Sequence, residues 1–173
     1  PALHSFGNRE QIIYLGSFSR TMLPSLRISY LVLPEKLLTA YEAIADRYNQ
    51  TSSTVEQLAL AAYIEEGHLT RHIRKLRSLY RTKSRRLKEE LTSRFGSKVR
   101  LLSYGSGLHL HIALDLPGTA EELARKALAQ GVRVIPVRGT EPGRSPEFLL
   151  SFAGIPDEKI REGVEAFREA LEK

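Results

Sequence analysis

The stretch Ile12-Ile-Tyr-Leu-Gly-Ser17-Phe-Ser19-Arg20-Thr-Met-Leu-Pro24-Ser-Leu-Arg27-Ile-Ser-Tyr-Leu-Val-Leu-Pro34 sets two apolar runs on either side of a polar loop. Ile12 to Leu15 and Ile28 to Leu33 are rich in β-branched and large apolar residues and too short for helices. They read as buried strands joined by a loop from Gly16 to Leu26. The loop and its far edge carry two hydroxyls, Ser17 and Ser19, and two permanent cations, Arg20 and Arg27. Hydroxyl donors, backbone N–H groups and a planar guanidinium together suit a phosphate dianion.

Outward from this stretch, composition narrows the class. A chain of 173 residues has room for one large domain, or a domain with part of a neighbour, and for a core that needs no covalent staples. Cysteine is absent, which rules out disulfides and fits a reducing compartment. No apolar run approaches the roughly 18 residues of a membrane span, and no charged-then-apolar leader opens the chain. The expectation is a cytoplasmic protein without membrane contact. The net charge of +6 is concentrated: nine Lys and Arg residues fall between Arg71 and Lys88, a window without Asp or Glu. That window reads either as a surface for a phosphate backbone or as a long solvated helix whose cationic stems cover apolar neighbours. The absence of interleaved aromatics and of any nucleic-acid motif favours the helix.

Before the hairpin, residues 1–10 read as a loop. After it, Pro34-Glu35 opens a helix whose Leu37, Leu38, Tyr41, Ile44, Ala45 and Tyr48 recur at helical spacing until about Asn49. Thr51, Ser52 or Ser53 caps a second helix, which Gly67 stops. From Leu69 the seam Ile73, Leu76, Tyr80, Leu87 and Leu91 marks a long helix. Beyond Phe95-Gly96 the period changes from helical to two. Val99 to Leu102 and Leu108 to Leu114 form a hairpin around a Tyr-Gly-Ser-Gly turn. His109 and His111 share one face of the second strand; a metal pair there lacks a third ligand nearby in sequence. Thr119-Ala-Glu-Glu122 is a capping box for a helix that runs to Gln130 and ends at Gly131. Val132 to Val137 and Phe148 to Phe152 read as strands separated by a Gly- and Pro-rich loop from Arg138 to Pro146. Pro156-Asp-Glu opens a last helix with Ile160, Val164, Phe167 and Leu171 inward. The second half is thus β-β-α-β-β-α, and the whole is α/β or α+β.

Taken together, several of these segments carry a resemblance. Tyr14-Leu-Gly-Ser17-Phe-Ser19-Arg20-Thr-Met-Leu-Pro24-Ser-Leu-Arg27-Ile-Ser-Tyr30 resembles the cofactor-lysine region of fold-type-I pyridoxal-phosphate aminotransferases. More narrowly it is similar to the MocR group of GntR-superfamily transcriptional regulators, which join an aminotransferase-like effector domain to a DNA-binding winged helix. The likeness continues through Gly67-His-Leu-Thr-Arg-His-Ile-Arg-Lys-Leu-Arg-Ser-Leu-Tyr80, Gly107-Leu-His-Leu-His111, Gly131-Val-Arg-Val-Ile-Pro136 and Leu149-Leu-Ser-Phe-Ala153, and so covers essentially the whole chain. It implies an α/β fold: the last part of a large cofactor-binding domain over 1–66, a long connecting helix over 67–98, and a small C-terminal domain over 99–173. With the front of the large domain outside the chain, it also implies uncovered apolar faces and self-association.

The resemblance assigns Ser17, Ser19 and Arg27 to the phosphate of pyridoxal 5'-phosphate. It puts Arg20 where the family carries the Schiff-base lysine. A guanidinium is delocalised and always protonated, so it cannot supply the neutral amine such a bond requires. Cofactor, if held, is then held by contacts with Ser17, Ser19, Arg20 and Arg27 and not covalently. Leu149 stands where the family places the arginine that clamps a substrate carboxylate; Arg144 lies in the preceding loop at the wrong spacing. No aspartate stands in a context matching the acidic partner of the pyridine nitrogen. The implied function is a catalytically incompetent effector-binding part of a MocR-type regulator, taking pyridoxal phosphate or an amino compound. Such a chain is expected to be homodimeric, with DNA bound only by a winged helix outside it. The alternative is a fragment or subunit of a pyridoxal-phosphate-dependent aminotransferase.

Overall fold

The computed structural model describes residues 5, 7, 9–19, 21–48, 51–102, 107–137 and 144–172. It divides into two compact units, Pro1–Ile73 and Arg74–Lys173.

In the first unit, β1 (Tyr14–Ser17) and β2 (Ser29–Val32) form an antiparallel pair in which Tyr14 faces Val32 and Ser17 faces Ser29. Period-two alternation places Tyr14, Gly16 and Phe18 on one side, with Tyr30 and Ile28 across from them. The Tyr30 ring centroid lies 5.9 Å from that of Tyr14 and 5.2 Å from that of Phe18. Gly16 is required there: a Cβ on it would come within 2.2 Å of the Tyr30 ring. The expectation of two buried strands is corrected. A two-stranded sheet has only one covered face, and Leu15 on the other is 75% exposed.

Two helices follow. α1 (Glu35–Ala45) starts behind Pro34, whose φ of −58° suits entry into a helix. α2 (Thr54–Glu65) is capped by Ser53, whose hydroxyl accepts the Glu56 N–H. Gly67, at φ +73°, turns the chain directly into α3 (His68–Phe95). That corner is fastened by Tyr63 stacked on His68 at 5.3 Å and by His68 Nε2 at 2.9 Å from Glu66 Oε2. The expected helix end near Asn49 lies outside the described residues.

The second unit holds the core. β3 (Val99–Leu101), β4 (His109–Leu114), β5 (Ile135–Pro136) and β6 (Glu147–Ser151) form one antiparallel sheet in the order β3-β4-β6-β5. Pairing Leu110 with Leu150 and Ile112 with Phe148 stacks their side chains on one face. Against that face pack Leu87, Leu91 and Phe95 of α3, together with α4 (Ala120–Ala129) and α5 (Lys159–Glu172). Phe167 of α5 meets Phe148 edge-on at 6.0 Å and Phe95 at 5.7 Å.

The ends of α4 follow the sequence closely. The Thr119 hydroxyl accepts the Glu122 N–H at 3.2 Å, and the Glu122 carboxylate accepts the Thr119 N–H at 2.9 Å. At the other end, Gly131 at φ +79° lets Val132 N–H reach the Ala127 carbonyl and its own N–H reach that of Leu128, both at 2.9 Å. That motif also explains a correction. The strand expected over Val132 to Val137 is only two residues long; it starts late because Val132 gives its N–H to α4, and beyond Pro136 a single bond, Val137 N–H to the Glu147 carbonyl at 2.9 Å, continues the pairing.

Candidate functional site

The polar loop between β1 and β2 is built by backbone bonds before any side chain acts. One step past the ladder, Phe18 N–H donates to the Ile28 carbonyl at 3.0 Å. The chain then tightens, with Thr21 and Met22 both donating to the Phe18 carbonyl at 3.0 and 2.9 Å. On the return side Leu26 N–H donates to Leu23 at 3.0 Å. The ladder ends at the Ser17–Ser29 pair, and Ser19 and Arg27 lie on the two arms of the loop beyond it. The Ser19 hydroxyl then crosses the loop and donates to the Leu26 carbonyl at 2.6 Å. This bond fixes the backbone immediately before Arg27.

Ser17 is exposed; its Oγ accepts the Ser19 N–H at 3.3 Å, which leaves its own O–H free to donate outward. Arg27 is exposed and has no ion-pair or hydrogen-bond partner among the described residues. One free hydroxyl and one free guanidinium on a braced loop are donors suited to a phosphate. The Ser19 hydroxyl is already committed to Leu26. Arg20 lies outside the described residues. Beside the loop, a hydrogen bond with Tyr14 raises the pKa of the Tyr30 hydroxyl above its ordinary value, with burial adding to the effect.

In the second unit, the sheet face away from the core carries His109, His111, Glu147 and Leu149. His111 Nε2 lies 2.8 Å from Glu147 Oε2, and Leu149 sits between His111 and Ile135 in the register. No arginine occupies the strand there. Arg144 is exposed in the preceding loop. Among the described residues no group of three or more His, Asp or Glu side chains is placed to hold a metal ion.

One structural residue escaped the reading of the seam. Lys83 falls in phase with Tyr80 and Leu87 and is buried, its ammonium donating to the carbonyls of Ala153 at 3.1 Å and Ile155 at 2.5 Å. One turn on, Arg86 pairs with Asp157 of the same loop. The sequence signal was the spacing itself, which a charged residue can satisfy when its stem lies along apolar neighbours and its head finds carbonyls.

The family model for aminotransferase class I and II matches residues 2–167. The chain belongs to the aminotransferase class I and II family. This family domain is 37% identical over 172 residues to YdeL, an uncharacterized HTH-type transcriptional regulator of Bacillus subtilis, covering 98% of the chain and 37% of the regulator. It is 28% identical over 173 residues to MocR, a probable rhizopine catabolism regulatory protein of Rhizobium meliloti, covering 99% of the chain and 35% of that protein. The chain thus spans little more than a third of the curated relatives it matches. Among solved structures, it is similar to LysN, the α-aminoadipate aminotransferase of Thermus thermophilus, with a TM-score of 0.69 and 29% identity over 92% of the chain and 41% of the enzyme. The fold-type-I α/β architecture and the likeness to the aminotransferase-like domain of MocR-type regulators are both borne out.

Proposed function

We propose that this chain is the effector-binding part of a MocR-type transcriptional regulator, and that it holds pyridoxal 5'-phosphate by contacts alone. One observation carries the reading. The β1–β2 loop offers the Ser17 hydroxyl and the Arg27 guanidinium without competing partners among the described residues, while the neighbouring Arg20 cannot form the covalent bond a lysine would. Ser17 donates one hydrogen bond to the phosphate, and Arg27 supplies charge and a second donor. Ser19 keeps the loop in register through Leu26 and reaches the phosphate only by giving that bond up. Arg20, next to Ser19 in the sequence, adds a further positive charge. When bound, pyridoxal phosphate supplies an aldehyde that combines reversibly with the amino group of a small molecule, so an amino compound is the natural effector class.

The relatives' names support the regulatory half of the reading. YdeL is an HTH-type regulator and MocR a regulatory protein, and each is much longer than the matched region. DNA recognition is assigned to a winged helix outside residues 1–173, the assembly to a homodimer, and the compartment to the cytoplasm. No helix among the described residues is long and apolar enough to cross a membrane.

Absorbance titration with pyridoxal phosphate, followed by borohydride reduction and mass spectrometry, tests the proposal. Saturable, dialysable binding with no stoichiometric reduced adduct on any lysine of the chain is expected. Arg27→Ala should weaken it about tenfold or more, the scale of a lost charge-assisted hydrogen bond. A stoichiometric borohydride-fixed adduct on any lysine of the chain, or Arg27→Ala binding as tightly as the parent, would overturn it.

A further inference from the structure

The second unit contains a cleft that the phosphate loop does not use. It has a volume of about 460 Å³ and lies between α5, the end of α4 with the segment leading to β5, and the edge of β6. Its walls are apolar, among them Val132, Val134, Phe152, Ile155 and Val164. The volume falls within the ~300–1,000 Å³ of ordinary small-molecule sites.

Three features give the cleft a direction. Arg133 stands among the lining residues, exposed, and has no ion-pair or hydrogen-bond partner among the described residues. The other cation there, Lys159, is engaged by Glu162 at 2.7 Å, so the two cancel. Ile155 is 40% exposed and forms an apolar lip, held in place because Lys83 grips its carbonyl at 2.5 Å.

The wall at Gly163 is the independent observation. This glycine lies inside α5, where it costs helix stability relative to alanine. No neighbour demands it: a Cβ added at Gly163 would meet no atom within 4 Å. It therefore leaves open space on the side of the helix that lines the cleft. By contrast, Gly16 in the first unit is demanded by the Tyr30 ring.

We propose that this cleft binds a medium-chain or aryl monocarboxylate, with the apolar body against α5 and the carboxylate on Arg133. A single unpaired guanidinium beside a mainly apolar cleft matches one carboxylate on an apolar body; the other donors of the lining are the neutral Gln130 and Ser151 and the Lys159 already engaged by Glu162. The site is distinct from the Ser17–Arg27 loop, and its occupancy does not depend on pyridoxal phosphate.

Calorimetric titration of the full chain with decanoate, and with 1-decanol as its uncharged counterpart, tests this. One saturable decanoate site per chain is expected. Gly163→Leu should fill the cleft and lower affinity at least about tenfold, while circular dichroism and the melting temperature stay level or rise. Arg133→Ala should weaken decanoate about tenfold and leave 1-decanol unchanged. Ile155→Asp, at a position 40% exposed, should also weaken decanoate by repelling its carboxylate. If folded Gly163→Leu or Ile155→Asp binds decanoate as the parent does, the ligand sits on apolar surface elsewhere and the cleft assignment fails. Equal loss of decanoate and 1-decanol in Arg133→Ala, or no loss of either, would overturn the carboxylate assignment.

Discussion

Residues 5–73 and 74–172 carry the same kind of apolar periodicity and bury it to very different extents. In the second unit Leu91, Ile112, Leu114 and Phe148 are fully buried beneath α3, α4 and α5. In the first unit Ile28, Pro34 and Leu60 are the buried apolar side chains among the described residues, while Leu15, Tyr48, Val55 and Leu58 are each about two-thirds exposed or more. α1, with Leu38, Tyr41 and Ile44 at helical spacing, buries no residue. The difference teaches that periodicity specifies which face of an element is apolar, and that only a neighbouring layer decides whether that face leaves water. Exposed apolar side chains of this kind, where they adjoin, are what protein–protein contacts use.

The largest effect should come from the core of the second unit. Phe148 is fully buried, paired across the strands with Ile112 and edge-on to Phe167. Phe148→Ala should cost about 3–5 kcal/mol in chemical denaturation, enough to unfold a marginal domain. A loss below about 1 kcal/mol would mean that this core is loosely packed and that the contrast between the units is overstated.

A smaller effect should follow at Lys83. Lys83→Met keeps the apolar stem and removes the donor, leaving the Ala153 and Ile155 carbonyls to find water. The cost should be about 1–3 kcal/mol, read as a lower denaturation midpoint, with faster amide exchange at Ile155, whose N–H donates to Phe152. An unchanged midpoint would reduce Lys83 to a surface cation with a buried stem.

The capping box of α4 offers a pH-dependent test. The Thr119 N–H, and then the Thr119 side chain, hold the Glu122 carboxyl below its ordinary pKa of 4.5. A carboxyl whose pKa is lowered in the fold contributes stability that is complete above its unfolded value and lost as pH falls through its folded value. Glu122→Gln should therefore be less stable than the parent near neutrality, and the gap should close on acidification below about 4.5. A gap independent of pH would assign the box to helix geometry alone. Thr119→Ala, which removes the hydroxyl cap, should cost about 1 kcal/mol near neutrality, with part of that cost also lost on acidification because the Thr119 side chain helps hold the Glu122 pKa down.

These tests separate what was legible in the sequence from what was not. Local chemistry was legible: the Thr119–Glu122 pair, the Ser53 cap, Gly131 after α4 and the inward stripe Ile160, Val164, Phe167 and Leu171 all rest on residues within a turn or two of one another. Contacts between distant positions were not. Nothing near Lys83 announces carbonyls seventy positions away, nor does His111 announce Glu147. For the candidate site, the sequence offers a set of residue types, Ser17, Ser19 and Arg27, whose role at a phosphate is proposed. That the Ser19 hydroxyl braces Leu26 depends on loop closure, which spacing does not encode.

The smallest expected effect bears most directly on the comparison between the units. Leu15 and Leu31 face each other across β1 and β2 on the uncovered side of the hairpin, 75% and 42% exposed. Replacing both with Ser or Thr removes little buried area, and substitutions away from packed contacts usually change stability by no more than about 0.5 kcal/mol. Thr is the better choice, because its β-branched side chain suits a strand. The association state should respond more than the stability. Sedimentation of the parent should show concentration-dependent self-association, and Leu15→Thr with Leu31→Thr should shift it toward monomer without moving the denaturation midpoint. A loss of unfolding free energy of about 2 kcal/mol or more, on the order of a buried leucine, would show that this face is covered in solution. The hairpin would then stand on the buried side of the comparison.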